Sequence, residues 1–178
     1  MTAISHRRIV TGHNENGDSI ILFEDTSKNV THIPSWEGLY VTEMWVTSEM
    51  PISNDGEEDR SLRPMKHDPD PSGTIFRLVE IPPESKTSFN AAGIFNELGS
   101  TNKPSEKDAA RHPTMHKTNS VDYLVVLSGE MTMEMESGST HLRQGDCIVQ
   151  RGTNHAWVNK SDKPCVLAAV LIDAHPAP

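Results

Sequence analysis

The amino-acid sequence predicts an all-β fold, an antiparallel barrel or jelly roll carrying only a few short helices. Three observations predict it. Short segments rich in β-branched and aromatic residues recur along the chain. Turn chemistry separates them at even spacing in the second half. And Glu130–Glu136 alternates with period two, setting Met131, Met133 and Met135 on one face and Glu130, Thr132, Glu134 and Glu136 on the other.

The elements follow in order. Ser19–Asp25 (SIILFED) and Leu39–Thr47 (LYVTEMWVT) have strand composition. Residues 48–72 are polar, acidic and proline-rich, which predicts an exposed loop. Thr74–Ile81 (TIFRLVEI) alternates and is stopped by Pro82-Pro83. Between Glu84 and Met115 the pattern changes. Phe89, Ala92, Phe95 and Leu98 fall at near-helical spacing, and Ser105 with Asp108 makes a capping box for a second short helix ending near Arg111. This stretch is expected to be an insertion over a barrel mouth, since loops of such length are usually functional or disordered. From Val121 onward the strands are dense: Val121–Ser128, Glu130–Glu136, Cys147–Gln150, His155–Asn159 and Cys165–Ile172. The expected organisation is an N-terminal extension over 1–72 that packs strands on a barrel spanning 73–178, with the insertion at 84–115.

Composition excludes several function classes. The net charge is −9 and no basic run is longer than Arg7-Arg8, so no phosphate backbone is matched. No apolar run reaches the ~18 residues of a membrane span. No apolar stretch follows the short basic N-terminus, so a cytoplasmic location is expected. Cys147 and Cys165 lie in apolar strand-like surroundings and are expected to be buried free thiols.

The chemistry-bearing residues cluster in two stretches. One is His116-x-Thr118-x3-Asp122-x6-Gly129. The other is Gly145-Asp146-x3-Gln150-Arg151-Gly152-x2-His155-x3-Asn159. Side chains two apart on a strand share a face, so His116 and Thr118 are expected to point together, with Asp122 and His155 returning to the same interior. Both stretches resemble the paired motifs of the cupins. The family's first motif carries two histidines one residue apart and an acid three or four residues later. The resemblance runs from about Thr74 to Asp173. It implies a divalent metal (Fe, Mn, Zn or Ni) held by His116, Asp122 and His155. This sequence departs from the pattern where Thr118 replaces the second histidine and where Asp122 is one methylene shorter than the usual glutamate. Within the cupins, the runs around Asp122–Glu130 and Val149–Trp157 resemble the cupin oxidoreductase-like proteins of fungal polyketide gene clusters.

The resemblance implies an enzyme that tailors a polyketide-like or aromatic intermediate. It would act by dehydration or isomerisation with His116, Asp122 and His155 as acid and base, or by metal-assisted oxidation. The alternative is a non-catalytic module that binds a small metabolite. Tyr40, Trp45, Arg77, Thr118 and Trp157 are the expected substrate-pocket residues, because aromatic walls with one cation suit a flat, partly acidic ligand. Tyr123, out of register with Asp122, is expected outside the barrel. The methionine stripe is expected to be core, the acidic 53–59 run a solvated loop, and His112 a loop residue. A homodimer is expected, with the 19–25 strand a segment that a partner could receive, since an unpaired edge strand is a liability.

Overall fold

The computed structural model describes residues 3–100 and 102–176. Among the described residues, eleven strands form three antiparallel sheets. The first two, β1 (Arg7–His13) and β2 (Ser19–Thr26), make a separate hairpin. A six-stranded sheet runs in the order β3-β4-β5-β11-β6-β9. Its strands are β3 (Val30–His32), β4 (Tyr40–Thr47), β5 (Thr74–Ile81), β6 (Ser120–Ser128), β9 (Cys147–Arg151) and β11 (Cys165–Asp173). A three-stranded sheet, ordered β10-β7-β8, faces it: β7 (Glu130–Met135), β8 (Ser139–Arg143) and β10 (His155–Val158). The all-β jelly roll expected from the sequence is the observed fold.

Alternation decides what each sheet buries. On β7, Met131 and Met133 are buried and pack with Leu142 of β8. They meet Leu124 and Val126 of β6 and Leu167, Ala169 and Leu171 of β11. Each of the larger side chains is worth about 1.5–3 kcal/mol of apolar burial. Strand β6 reads apolar on both faces, yet only one is covered: Leu124 and Val126 are buried while Tyr123, Val125 and Leu127 are exposed.

The described residues of the insertion form a short 3-10 turn at Glu84–Lys86 and two α-helices, α1 (Ala91–Glu97) and α2 (Glu106–Arg111). Helix α1 is capped by Asn90 and buries Ile94 and Phe95. Helix α2 has the reciprocal capping box between Ser105 and Asp108 and buries nothing of its own. Strands β1, β3 and β8 carry too little apolar alternation to be read from sequence. They are held instead by pairing with β2, β4 and β7. Cys165 is buried as expected, but Cys147 is exposed. Its strand, β9, lies at the sheet edge, and Cys147 points to the uncovered side opposite Val125. No helix among the described residues is long and apolar enough to cross a membrane.

Candidate active site

The two cupin-like stretches meet at His116 and His155. The backbone N–H of each donates to the carbonyl of the other, both at 2.8 Å, closing an isolated antiparallel bridge. Their ring centroids lie 4.5 Å apart. Trp157, two residues along β10 and so on the same face, sets its ring edge-on to His155 at 4.9 Å.

Each imidazole is fixed in one tautomer. His116 Nδ1 lies 2.9 Å from the Thr114 carbonyl, and His155 Nδ1 lies 2.9 Å from the Thr153 carbonyl. A carbonyl only accepts, so Nδ1 carries the proton in both and Nε2 holds the lone pair. Gln150 Nε2 also lies 3.0 Å from His155 Nδ1, but its two hydrogens go to the carbonyl and hydroxyl of Thr153. Asp122 sits directly across from Gln150 in the β6–β9 ladder. One of its oxygens accepts from the Ser120 hydroxyl at 2.5 Å, and the same hydroxyl lies 2.7 Å from Thr118 Oγ1.

These groups line one cavity of about 120 Å³. Of the residues expected at a site, His116, Thr118, Asp122, His155, Arg77 and Trp157 are brought to it. Tyr40 and Trp45 are not. On β4, Val41 lines the cavity and Glu43 is buried against Arg77, so Tyr40 faces out and lies tilted against His32 at 4.9 Å. A bulge at Met44 then turns Trp45 to the outer face, opposite Phe76. Arg77 is no free cation either: its Nη2 donates to Glu43 Oε1 at 2.8 Å and to the Lys66 carbonyl at 2.6 Å.

The structure adds residues that sequence reasoning missed. His67, from the acidic loop, brings its ring to 5.0 Å from His116. Its Nδ1 lies 3.1 Å from Asp68 Oδ1. Trp36, and Ile94, Phe95 and Leu98 of the insertion, complete the apolar wall. The near-helical spacing through Leu98 was the available signal for the insertion residues. His67 had none, because its approach depends on how a non-repetitive loop folds back.

Burial sets the electrostatics. It pushes Asp122 up to about 6, and it pushes His155 down to about 4. His116 is held well below its ordinary value by burial and then by its neighbours His155 and His67. At neutral pH both rings are therefore uncharged bases. One oxygen of Asp122 is engaged by Ser120, and no three His, Cys, Asp or Glu among the described residues are grouped to hold one ion. Nε2 of His116, Nε2 of His155 and the second Asp122 oxygen are the groups that would hold one.

Residues 101–172 match the cupin domain family. This segment of the chain is similar to cupin domains. A phomopsin biosynthesis cluster protein C' from Diaporthe leptostromiformis is 54% identical over 92 residues, covering 51% of this chain and 35% of its own length. An oryzines biosynthesis cluster protein J from Aspergillus oryzae is 35% identical over 115 residues, covering 64% and 59%. The cupin-domain-containing oxidoreductase virC of Hypocrea virens is 25% identical over 177 residues, covering 95% and 76%. Of the phomopsin and oryzines proteins the chain thus spans less than two thirds. The proteins this chain is similar to therefore include fungal biosynthesis-cluster proteins and a protein named as an oxidoreductase.

Proposed function

We propose that the chain is an enzyme of fungal secondary metabolism that dehydrates or isomerises a small polyketide-like or aromatic carbonyl compound by proton transfer. The observation that carries this reading is the pairing, in one cavity, of an uncharged imidazole base with a carboxyl group of raised pKa. Environments that push two titratable groups apart assign the base and the acid.

In a dehydration, His155 Nε2 takes the proton α to the substrate carbonyl. Asp122, in its protonated form, gives a proton to the β-hydroxyl, which leaves as water. The C–H and C–O bonds break, and the carbon–carbon double bond forms between them. The pKa order then resets the site. An imidazolium of pKa about 4 passes its proton, through the released water, downhill to a carboxylate of pKa about 6. His116, bridged to His155 and flanked by Phe95 at 5.7 Å, holds the neighbouring ring in place. Trp36, Phe95 and Trp157 supply the flat apolar walls that an aryl or conjugated substrate matches.

One relative, virC, is named as an oxidoreductase, so the test must separate the two chemistries. A β-hydroxy ketone bearing one aryl ring is incubated with the protein, and the product is weighed by mass spectrometry. Loss of water, undiminished after exhaustive dialysis against chelator and removed by His155→Ala, supports the proposal. Loss of two hydrogens, or turnover that persists in His155→Ala, overturns it. Binding of the ketone with no turnover favours the non-catalytic metabolite-binding module instead.

A further inference from the structure

A second line of polar groups reaches the cavity through Thr114, a buried residue of its wall. The Thr114 hydroxyl lies 2.9 Å from His112 Nδ1, and His112 Nε2 lies 3.2 Å from Glu84 Oε1. Glu84 opens the insertion and His112 caps its second helix, so the two ends of the insertion meet on one imidazole. That ring is stacked on Phe89 at 6.3 Å, and Phe89 packs against Trp36 at 4.8 Å. Glu84 Oε1 is buried without a hydrogen-bond partner among the described residues, which leaves the edge of the imidazole to offset its charge.

The hydrogens along this line have one consistent direction. The Thr114 backbone N–H donates to His112 Nδ1 at 3.3 Å. A backbone N–H only donates, so Nδ1 carries the lone pair and the ring proton sits on Nε2, facing the Glu84 carboxylate. The Thr114 hydroxyl, meeting an acceptor, directs its single hydrogen at Nδ1 and keeps only lone pairs for a ligand in the cavity. The neighbouring groups share that polarity. His116 and His155 both carry their proton on Nδ1, which leaves a lone pair on each Nε2. Arg77 spends its hydrogens on Glu43 and on the carbonyls of Lys66 and His67. A wall so rich in acceptors matches a ligand that brings hydrogens of its own.

We infer that Thr114, polarised by His112 and Glu84, is the acceptor that recognises a phenolic hydroxyl, so that the substrate is a hydroxylated aromatic carbonyl compound. The assignment rests on the reading of this cavity as a site for small aromatic carbonyl compounds, and it names the class among them. Thr114 touches the ligand, while His112 and Glu84 are positioning residues that act through it. Selectivity comes from an asymmetry of hydrogen bonding. A phenol pairs with the buried oxygen, whereas a ligand without that hydrogen leaves the oxygen desolvated and unpaired, and a site built around a hydroxyl rejects the analogue that lacks it.

The test is isothermal titration calorimetry of the full chain at neutral pH, with circular dichroism and melting curves as controls for folding. The ligands are para-hydroxyacetophenone and para-fluoroacetophenone, which are close in size, the second having no hydrogen to give. The wild type is expected to bind the phenol about five- to a hundredfold more tightly. Thr114→Val keeps the shape of the side chain without its oxygen and is expected to abolish the preference, and Thr114→Ser is expected to restore it. Thr114→Ala takes the place of Thr114→Val should the latter melt early. His112→Phe, made together with Glu84→Gln so that no buried carboxylate is left unpaired, frees the hydroxyl to donate and is expected to lower the preference. General loosening of the insertion would weaken both ligands alike and leave their ratio unmoved. Equal binding of the two ligands by the wild type overturns the assignment and leaves the proton-transfer reading standing. So does a preference that survives the loss of the Thr114 hydroxyl. A ratio unchanged in the His112 variant overturns the part given to His112 and Glu84. Failure to bind either ligand overturns the assignment and the aromatic-carbonyl reading together.

Discussion

His116 and His155 are hydrogen-bonded to each other twice through the backbone, and their rings are in tilted contact. Two reciprocal N–H to carbonyl bonds of 2.8 Å hold the main chains, and the imidazoles lie 4.5 Å apart. These residues are 39 positions apart in sequence, and His155 is at the same time paired with Met135 of β7. Carbonyls on Nδ1 choose the tautomer, while burial lowers the basicity of both rings.

The pKa order predicts a bell-shaped rate. His155 must be uncharged, so activity rises as pH climbs through about 4. Asp122 must hold its proton, so activity falls as pH climbs through about 6. Asp122→Asn keeps the shape but cannot donate the proton. The expected outcome is a loss of about 10²–10⁴ in kcat together with disappearance of the upper limb. A pH profile of kcat/KM for both proteins checks it.

The same shifts predict stability. Asp122 has its folded pKa raised from 3.8 to about 6, so stability falls as pH rises through that window. His155 has its folded pKa lowered from 6.5 to about 4. The unfolded chain takes up that proton first on acidification, so stability falls as pH drops from 6.5 towards 4. The two effects oppose each other between about 4 and 6. Asp122→Asn removes the first, and the variant should gain stability with rising pH more steeply, by up to about 1.4 kcal/mol per pH unit. Urea unfolding across that range measures the slope.

Glu43 is fully buried, and its carboxylate accepts from Arg77. Glu43→Ala leaves a buried guanidinium without its counter-charge, an expected cost of about 3–5 kcal/mol. Glu43→Gln keeps an acceptor and should cost less. Urea midpoints at one pH rank the three proteins.

Gly129 and Gly138 both sit at positive φ, +78° and +84°, but their surroundings differ. A Cβ at Gly129 would lie 2.7 Å from the Pro164 carbonyl oxygen and 2.9 Å from Cys165 Cα, both backbone atoms. At Gly138 nothing stands within 4 Å. Gly138→Ala should therefore cost only the left-handed strain, about 1–2 kcal/mol. Gly129→Ala should cost distinctly more, and thermal melts of the pair compare them.

Much of the fold was legible because its signals are local. Period-two alternation at Met131 and Met133 marked a strand with one buried face, and Ser105 with Asp108 marked a helix start. Both depend on neighbours a few residues away. The motif residues His116, Asp122 and His155 were legible through their resemblance to the paired cupin motifs. Tyr40 and Trp45 were misplaced because a single bulged residue, Met44, reverses which side later side chains face. Cys147 was misplaced because edge position is a property of the sheet, not of the strand.

By itself, then, the sequence determined the strands, their turns and the kinds of group that could meet in a pocket, since these rest on backbone preference and side-chain chemistry over short spans. The tertiary structure alone decided that His67 joins His116, that Asp122 is raised while His155 is lowered, and that the outer face of β6 is left bare. Those outcomes come from desolvation and from contacts between distant segments. Both are set only once the whole chain has closed around the cavity.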